Sequence, residues 1–273
     1  MQGSDAEPAG LMAESPMQLT IASQFRGPPE SGNGGYVSGA VADLLLSARG
    51  LPADQAVEVT LRAPIPLDKP MAARLDSHGE LTVADGETLI AQAKTTELLL
   101  AVPPAPDFAS AQRARGGSAS LASGLNTLIA NGTGFHPICF CCGADVAPNQ
   151  GLHVYAAPVE GYEGVAAAWQ PGEIFADSQG NLPSAVVWAA LDCPGQFAYL
   201  AGGIRTGMLG RMTAKILHPV HAQQNCVVTG WCVEVERSKH FAGTALFDES
   251  GALCAFTKQV WIGRMDQQPS SSA

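Results

Sequence analysis

Residues 33–52 read NGGYVSGAVADLLLSARGLP, and this stretch decides the fold. An apolar run begins after Asn33 and continues to Ala48. Arg49 then supplies a cation, Gly50 a left-handed cap, and a proline completes the stop signal. The segment predicts a helix. Its apolar residues cover more than one face, which predicts burial on most sides.

Strand-like runs follow this helix, and the same order of signals recurs later in the chain. The first set spans 57–65, 72–75, 80–84 and 88–100, whereas the second spans 212–217, 225–236, 243–248 and 252–262 after a helix over 182–192. The halves align by eye, with Ala63-Pro64 opposite His218-Pro219 and Lys94 opposite Lys258. This order predicts an internally duplicated α+β protein in which each half wraps a curved antiparallel sheet around a long helix. We expect the two sheets to pair edge to edge, because this removes two exposed edge strands.

Composition divides the chain into five segments. Residues 1–17 and 265–273 are polar or low in complexity, and we expect loose termini there. Residues 103–125 begin with Pro-Pro-Ala-Pro and are rich in glycine, which predicts a linker. The two folded modules then cover 18–102 and 126–264.

The overall charge excludes several classes of partner. The chain of 273 residues has a formal net charge of −10 and a pI near 4.9, so it repels nucleic acid and anionic membrane surfaces. No apolar run reaches the length of a membrane span, and the start lacks a secretory signal pattern. Seven scattered cysteines do not form the framework of a small secreted protein. These features predict a cytoplasmic protein.

One carboxylate interrupts the second predicted helix. Asp192 follows an apolar run and precedes Cys193-Pro194, and the proline should kink or end the helix near Asp192. A buried carboxylate at a broken helix is a candidate general base. The alternative is a helical end at which Asp192 faces water. Asp43 lies at a comparable depth in the first helix and is a weaker candidate.

Residues 136–143 read HPICFCCG and form the other conspicuous motif. Cys139 and Cys142 have the spacing of half a zinc site, with His136 and Cys141 nearby, but a second cysteine pair is missing. Metal binding, redox chemistry and a structural turn before a strand at 151–155 are all open. The turn is favoured, so no metal or other cofactor is assigned. The cysteines of the later strands are expected to be buried as small apolar residues.

Three motifs together are similar to one family. They are the helix start Asn33-Gly34-Gly35-Tyr36, the helix end Asp192-Cys193-Pro194 and the final strand Ala255-Phe256-Thr257-Lys258-Gln259. They resemble the double hotdog acyl-CoA thioesterases, of the acyl-CoA thioesterase II kind, over residues 19–262. The resemblance implies a tandem (double) hotdog that hydrolyses an acyl-CoA thioester.

The resemblance also implies a set of site residues. Asp192, Thr213 and Gln259 would hold the attacking water, so these are the expected catalytic residues. The helix start would bind substrate through Asn33 and through the backbone N–H groups of Gly34, Gly35 and Tyr36, which could polarise the thioester carbonyl. Arg211 and the basic run at 237–240 are the candidates for the phosphates of coenzyme A.

Other functions stay open at this stage. A non-catalytic acyl-CoA or lipid-binding hotdog protein would keep the apolar tunnel without needing the carboxylate. A zinc or redox protein centred on Cys139 to Cys142 is a third class. A hydratase is disfavoured, because the sequence lacks an Asp and His pair at the required spacing. The expected partner is an acyl-CoA substrate, with homo-oligomers possible.

Overall fold

The computed structural model describes residues 17–122, 129 and 131–263. The segments predicted as loose termini lie outside these residues, except that Met17 begins the first strand. In the described part of the chain, no helix is both long and apolar enough to span a membrane.

The elements follow the predicted order in both halves. The first half contains β1 (Met17–Leu19), α1 (Gly34–Arg49), β2 (Val57–Leu61), β3 (Met71–Leu75), β4 (Leu81–Asp85) and β5 (Thr88–Thr95). It is followed by α2 (Phe108–Ala114), β6 (Ala157–Pro158), β7 (Val165–Trp169), α3 (Ser184–Ala190) and α4 (Cys193–Ala201). The chain then forms β8 (Met208–Ile216), β9 (Cys226–Glu236), β10 (Lys239–Phe247) and β11 (Leu253–Ile262).

The described strands form one antiparallel sheet with the order β1-β3-β4-β5-β2-β8-β11-β10-β9-β7-β6. Strands β2 and β8 meet in the middle, where Glu58 pairs with Thr213 and Val59 with Met212. Outward from this pair, one side reads β2-β5-β4-β3-β1 and the other reads β8-β11-β10-β9-β7. Both sides therefore have the same chain order. The predicted edge-to-edge pairing of the two sheets is confirmed.

Helix α1 lies between the sheet and the second helix. The Asn33 side chain caps it by accepting a hydrogen bond from the Tyr36 N–H, and Gly50 ends it in the left-handed conformation. Its glycines let α3 approach closely, since a Cβ placed on Gly39 would lie 2.6 Å from the Cα of Ala185. The sequence prediction of this helix and of its Gly50 cap is confirmed.

The second helix differs from its prediction at both ends. The sequence predicts a helix that begins at residue 182, but α3 begins at Ser184, and no side chain caps it at the N-cap residue Pro183. The helix breaks after Ala190 as expected, yet it resumes at Cys193 and runs to Ala201 instead of ending. Pro194 lies in the first turn of α4, where a proline is tolerated because the N–H that it lacks would have no partner within the helix. The break therefore joins two helices, α3 and α4.

The segment predicted as a linker contains a capped helix. The Asp107 side chain accepts from the Ser110 N–H at the start of α2, and Ala111 packs against Ala166 and Val227 of the sheet. Helix α2 thus covers part of β7, and the last part of the predicted linker lies outside the described residues.

Two local predictions in the second half are wrong. Residues 151–155 are not a strand, because the N–H groups of Leu152 and Val154 bond to the carbonyls of Phe140 and Cys141 in the preceding loop. Cys232 is exposed, because the part of β9 beyond Trp231 projects into solvent. The expectation of burial holds for the other strand cysteines.

Candidate active site

A cavity of about 280 Å³ opens where the two halves meet. Residues 61–65, which include the end of β2, form one wall, and residues 207–210 at the start of β8 form another. The broken helix supplies the floor with Asp192, Cys193 and Gln196. Most of the other lining groups are apolar, which suits an uncharged ligand segment.

Asp192 is the buried carboxylate of this cavity. It is only 4% exposed, so the alternative in which it faces water is wrong. Its Oδ2 accepts hydrogen bonds from Asn33 Nδ2 at 2.7 Å and from the Gly35 N–H at 3.1 Å. Its Oδ1 is buried and has no hydrogen-bond partner among the described residues. The carboxylate is thus held by one oxygen and leaves the other free.

The environment of Asp192 also changes its acidity. Burial, reinforced by the charge of Cys139, raises the pKa of the Asp192 carboxyl to about 7, while the hydrogen bonds from Gly35 and Asn33 act in the opposite direction. Raised carboxyl pKa values in a cleft are a common property of functional sites.

The start of α1 holds the carboxylate, and two of its three expected backbone donors are engaged in hydrogen bonds within the protein. The Gly35 N–H donates to Asp192, and the Tyr36 N–H donates to the Asn33 side chain. These two N–H groups were expected to polarise a carbonyl, but both are already bonded. Asn33 and Gly34 line the cavity as expected, whereas Tyr36 stacks on Phe25 with ring centroids 3.8 Å apart.

Gln259 lies under the helix break. Its Nε2 donates to the carbonyls of Leu191 at 2.6 Å and Asp192 at 3.2 Å, and its Oε1 accepts from Trp261 Nε1 at 2.8 Å. The structure therefore brings Gln259 close to Asp192, but through the backbone. Its amide satisfies carbonyls that the break in the helix leaves unpaired.

Thr213 and Arg211 lie away from the cavity. In β8 the neighbours Met212 and Ala214 join the core below the helices, so the alternation of the strand places Thr213 on the opposite face of the sheet. The Arg211 side chain lies on this same outer face, 43% exposed, where its Nη1 pairs with Glu58 at 3.5 Å. The structure does not bring either residue to Asp192.

Three polar groups of the cavity were not assigned to the site by the sequence. His136 Nε2 lies 2.9 Å from Gln196 Oε1, and Gln196 Nε2 donates to the carbonyl of Gly207. Arg62 is exposed at the rim and donates to Gln92. The sequence signal for Gln196 is a polar residue within an apolar run. This signal was not used, because the helix was predicted to end at Asp192.

The Cys139 thiol is part of the cavity wall. Asn33 Nδ2 lies 3.6 Å from its sulfur and donates to it. Hydrogen bonds from the thiols of Cys142 and Cys193 hold the pKa of Cys139 well below its usual range. The run at 237–240 does not line the cavity. It forms the turn between β9 and β10 and the start of β10, where Lys239 and His240 pair with the lining residues Ile262 and Trp261.

Comparison with known proteins places this geometry in a wider context. No protein-family model and no curated protein match the chain. Several solved structures, however, match the chain. A candidate thioesterase from Novosphingobium aromaticivorans matches with a TM-score of 0.57 at 14% identity, over 90% of this chain and 94% of that one. A conserved protein of unknown function with a hotdog fold, from Alicyclobacillus acidocaldarius, matches with a TM-score of 0.54 at 10% identity, over 93% and 95%.

The chain has the hotdog fold. A further solved structure is similar to it, the tesB protein of Mycobacterium avium subspecies paratuberculosis, with a TM-score of 0.56 at 14% identity over 90% of this chain and 92% of that one. Since the match to the Alicyclobacillus structure covers 93% of this chain, the hotdog likeness includes both halves of the sheet and the helices that pack on it.

Proposed function

We propose that this chain is a tandem of two hotdog modules that hydrolyses an acyl-CoA thioester in the cavity beside Asp192. One observation carries the proposal: Asp192 lines the cavity, and its buried carboxylate has one oxygen held by Asn33 and Gly35 and the other without a hydrogen-bond partner among the described residues. An unpaired buried acceptor is costly unless a ligand or water uses it. That oxygen is the place for the attacking water.

The tandem arrangement is supported by the sheet. Each side of the β2–β8 pair has the same order of strands, and each side supplies a helix to the packed pair α1 and α3. The modules we propose cover 18–102 and 126–264. All seven cysteines are free thiols, which fits the reducing cytoplasm that we propose as the compartment.

The proposed reaction uses Asp192 as a general base. The oxygen of a water bound at Oδ1 bonds to the thioester carbonyl carbon, and a proton of that water passes to Asp192. The carbon–sulfur bond then breaks, and the leaving coenzyme A thiolate takes the proton from Asp192. The products are a carboxylic acid and coenzyme A. Gln259 acts as a positioning residue, because it holds the backbone of residues 191 and 192.

The two ends of the substrate differ in chemistry, and so do the parts of the cavity. The apolar groups of Leu61, Ile65 and Leu209 suit the acyl group. Arg62 lies at the rim and is a cation within reach of the phosphates of coenzyme A. We assign the phosphate contact to Arg62 in place of Arg211.

The test compares two isosteric variants. Coenzyme A release is measured by chromatography on short, medium, long and aromatic acyl-CoA esters for the native chain, Asp192→Asn and Asp43→Asn. Asp43 is the control because it is also a helical carboxylate. It lies on α1, which packs on α3, and it accepts a hydrogen bond from Ser184 of α3. We expect Asp192→Asn to lose at least ~100-fold in kcat, as for a lost general base, and Asp43→Asn to retain native turnover. Equal losses in both variants would contradict the role of Asp192.

The second candidate is a non-catalytic acyl-CoA or lipid-binding protein. Two observations favour it: Thr213 lies on the far face of the sheet, and the Gln259 amide is already bonded to the backbone. Neither group is then available to hold a water. Binding of an acyl-CoA by calorimetry, without release of coenzyme A from any ester, would replace the enzyme by this binding protein.

A further inference from the structure

Three cysteine thiols converge behind the wall of the cavity. Cys139 and Cys142 come from the loop at 136–143, whereas Cys193 is the first residue of α4. The sulfur of Cys193 lies 3.7 Å from that of Cys139 and 3.2 Å from that of Cys142, and all three sulfurs lie within 4.8 Å of one another. Each of the three side chains is almost completely buried. The described part of the chain thus gathers thiols from two distant segments at one point.

The spacing of the sulfurs fits an ion better than a disulfide. A disulfide joins sulfurs at about 2.05 Å. Zinc–thiolate bonds of about 2.3 Å in a tetrahedron place the sulfurs about 3.8 Å apart. The separations of 3.7 and 3.2 Å are close to this second value. A small rotation of the side chains would give three equal separations around a tetrahedral ion.

The loop that carries two of these thiols is built around the position of Cys139. The Nδ2 of Asn33 donates to the Cys139 sulfur. Gly143 permits the tight turn, because a Cβ at this position would lie 2.6 Å from the carbonyl oxygens of Cys139 and Pro137. Donors of this kind orient metal ligands and stabilise their anionic form.

The fourth thiol of the region does not belong to the set. The Cys141 sulfur is directed to the carbonyl of Ala190 at 3.9 Å and lies outside the mutually close trio. Cys139 and Cys193 line the cavity, whereas Cys142 does not. An ion held by the three thiols would therefore lie at the cavity wall, with two of its ligands on the cavity side.

We propose that Cys139, Cys142 and Cys193 bind a Zn²⁺ ion as thiolates, with the fourth coordination position left to a water or ligand in the cavity. Three protein ligands with one open position are typical of zinc sites that bind exogenous groups. Thiolate ligands favour zinc over calcium or magnesium, which bind oxygen. This site stands independently of thioester hydrolysis.

The first test measures metal content. The native chain is expressed with added zinc, purified without chelators or metal-affinity resin, and analysed by mass spectrometry for bound metals. We expect about one zinc per chain, and a loss of at least ~10-fold in each of Cys139→Ser, Cys142→Ser and Cys193→Ser. Cys226→Ser and Cys254→Ser are matched controls, since these thiols are also buried but lie in strands β9 and β11 of the sheet. Native zinc content is expected in both.

A second test avoids dependence on variants that fail to fold. The native chain is stripped of metal, loaded with Co²⁺, and followed by absorption, where a thiolate-to-cobalt charge-transfer band is expected at one equivalent. A native chain that neither contains zinc nor gives this band would overturn the site. So would zinc binding that is unchanged when all three cysteines are replaced. Both readouts are independent of turnover, so an inactive chain that binds zinc would overturn only the proposed hydrolysis.

Discussion

Gln259 occupies a completely buried position between the last strand and the broken helix. Its amide bonds to two backbone carbonyls and to Trp261, so replacing it with alanine leaves three groups unpaired and a cavity behind. We expect Gln259→Ala to lower the free energy of unfolding by about 3 kcal/mol in urea titrations. Gln92→Ala is the control, since this glutamine is only partly buried and should cost less than about 1 kcal/mol.

The same variant separates two roles for this residue. If Gln259 acts only by holding the backbone at the break between α3 and α4, its replacement should lower the stability and the turnover together, because residues 191 and 192 shift. Loss of turnover with native stability would instead indicate that Gln259 holds the attacking water, as the family resemblance implies.

Arg62 is the basic residue at the rim of the cavity. If it contacts the phosphates of coenzyme A, Arg62→Gln should raise KM about tenfold for an acyl-CoA, which corresponds to about 1.4 kcal/mol of a charge-assisted hydrogen bond. KM for a short thioester without a nucleotide should not change. Steady-state kinetics on both substrates give the comparison.

Arg211 offers a direct comparison on the other face of the sheet. It pairs there with Glu58, and surface pairs of this type contribute little. Arg211→Gln should therefore leave both KM values near native. A tenfold rise in this variant and none in Arg62→Gln would place coenzyme A on the outer face and contradict our assignment.

Asp192 was found from the sequence because a carboxylate before a proline is conspicuous in an apolar helix. Its partners Asn33 and Gly35 were named for a different role, since sequence gives no sign that they would bond to it across the helix pair. Thr213 was placed by its position in a strand, and strand position alone does not fix which face a residue occupies. Arg62 had no local signal, because only the folded sheet brings it to the rim.

At the scale of elements, the packing of α1 on α3 depends on small residues. A Cβ at Gly39 would lie 2.6 Å from the Cα of Ala185 and 2.9 Å from the Cβ of Trp188. Although alanine favours a helix by about 1 kcal/mol over glycine, overpacking costs more when backbone must move. We expect Gly39→Ala to lower the unfolding free energy by about 1–2 kcal/mol in urea titrations.

The control for this prediction is the same substitution in open space. A Cβ at Gly116 meets nothing within 4 Å, so Gly116→Ala should change stability by less than about 0.5 kcal/mol. A higher unfolding free energy in Gly39→Ala would contradict this prediction, because α1 and α3 could then move apart without a loss of packing.

The sequence predicted most elements because their signals are local. Asn33 and Gly50 bound α1 as expected, and the four strands after each helix occur in the predicted order. The continuation of the second helix beyond Pro194 was missed, because proline ends one helix and begins another with equal ease. Helix α2 was missed because its composition resembles that of a linker.

At the scale of the whole molecule, the continuous sheet and the packed helices should couple the two halves. All four tryptophans, at 169, 188, 231 and 261, lie in the second half and are buried, so their fluorescence reports on that half and, through Trp188 beside Gly39, on its contact with α1. Far-UV circular dichroism reports on both halves. We expect the two urea transitions to coincide, as they do in a two-state protein.

Separate transitions would contradict this coupling. If the first half unfolds alone, ellipticity should fall in two steps, and only part of the fluorescence change, that of Trp188, should accompany the first step. The β2–β8 pairing would then contribute too little to hold the first half in place.

The unequal helices of the two halves have a consequence for divergence. In a pair of identical subunits, any change that breaks a helix appears twice, and both copies bear its cost. A single chain with two unlike halves is free of this constraint, since α1 can stay continuous while its counterpart is split into α3 and α4. One half can therefore be selected for rigidity and the other for chemistry. For the site that we propose beside Asp192, we therefore expect one ligand for every polypeptide.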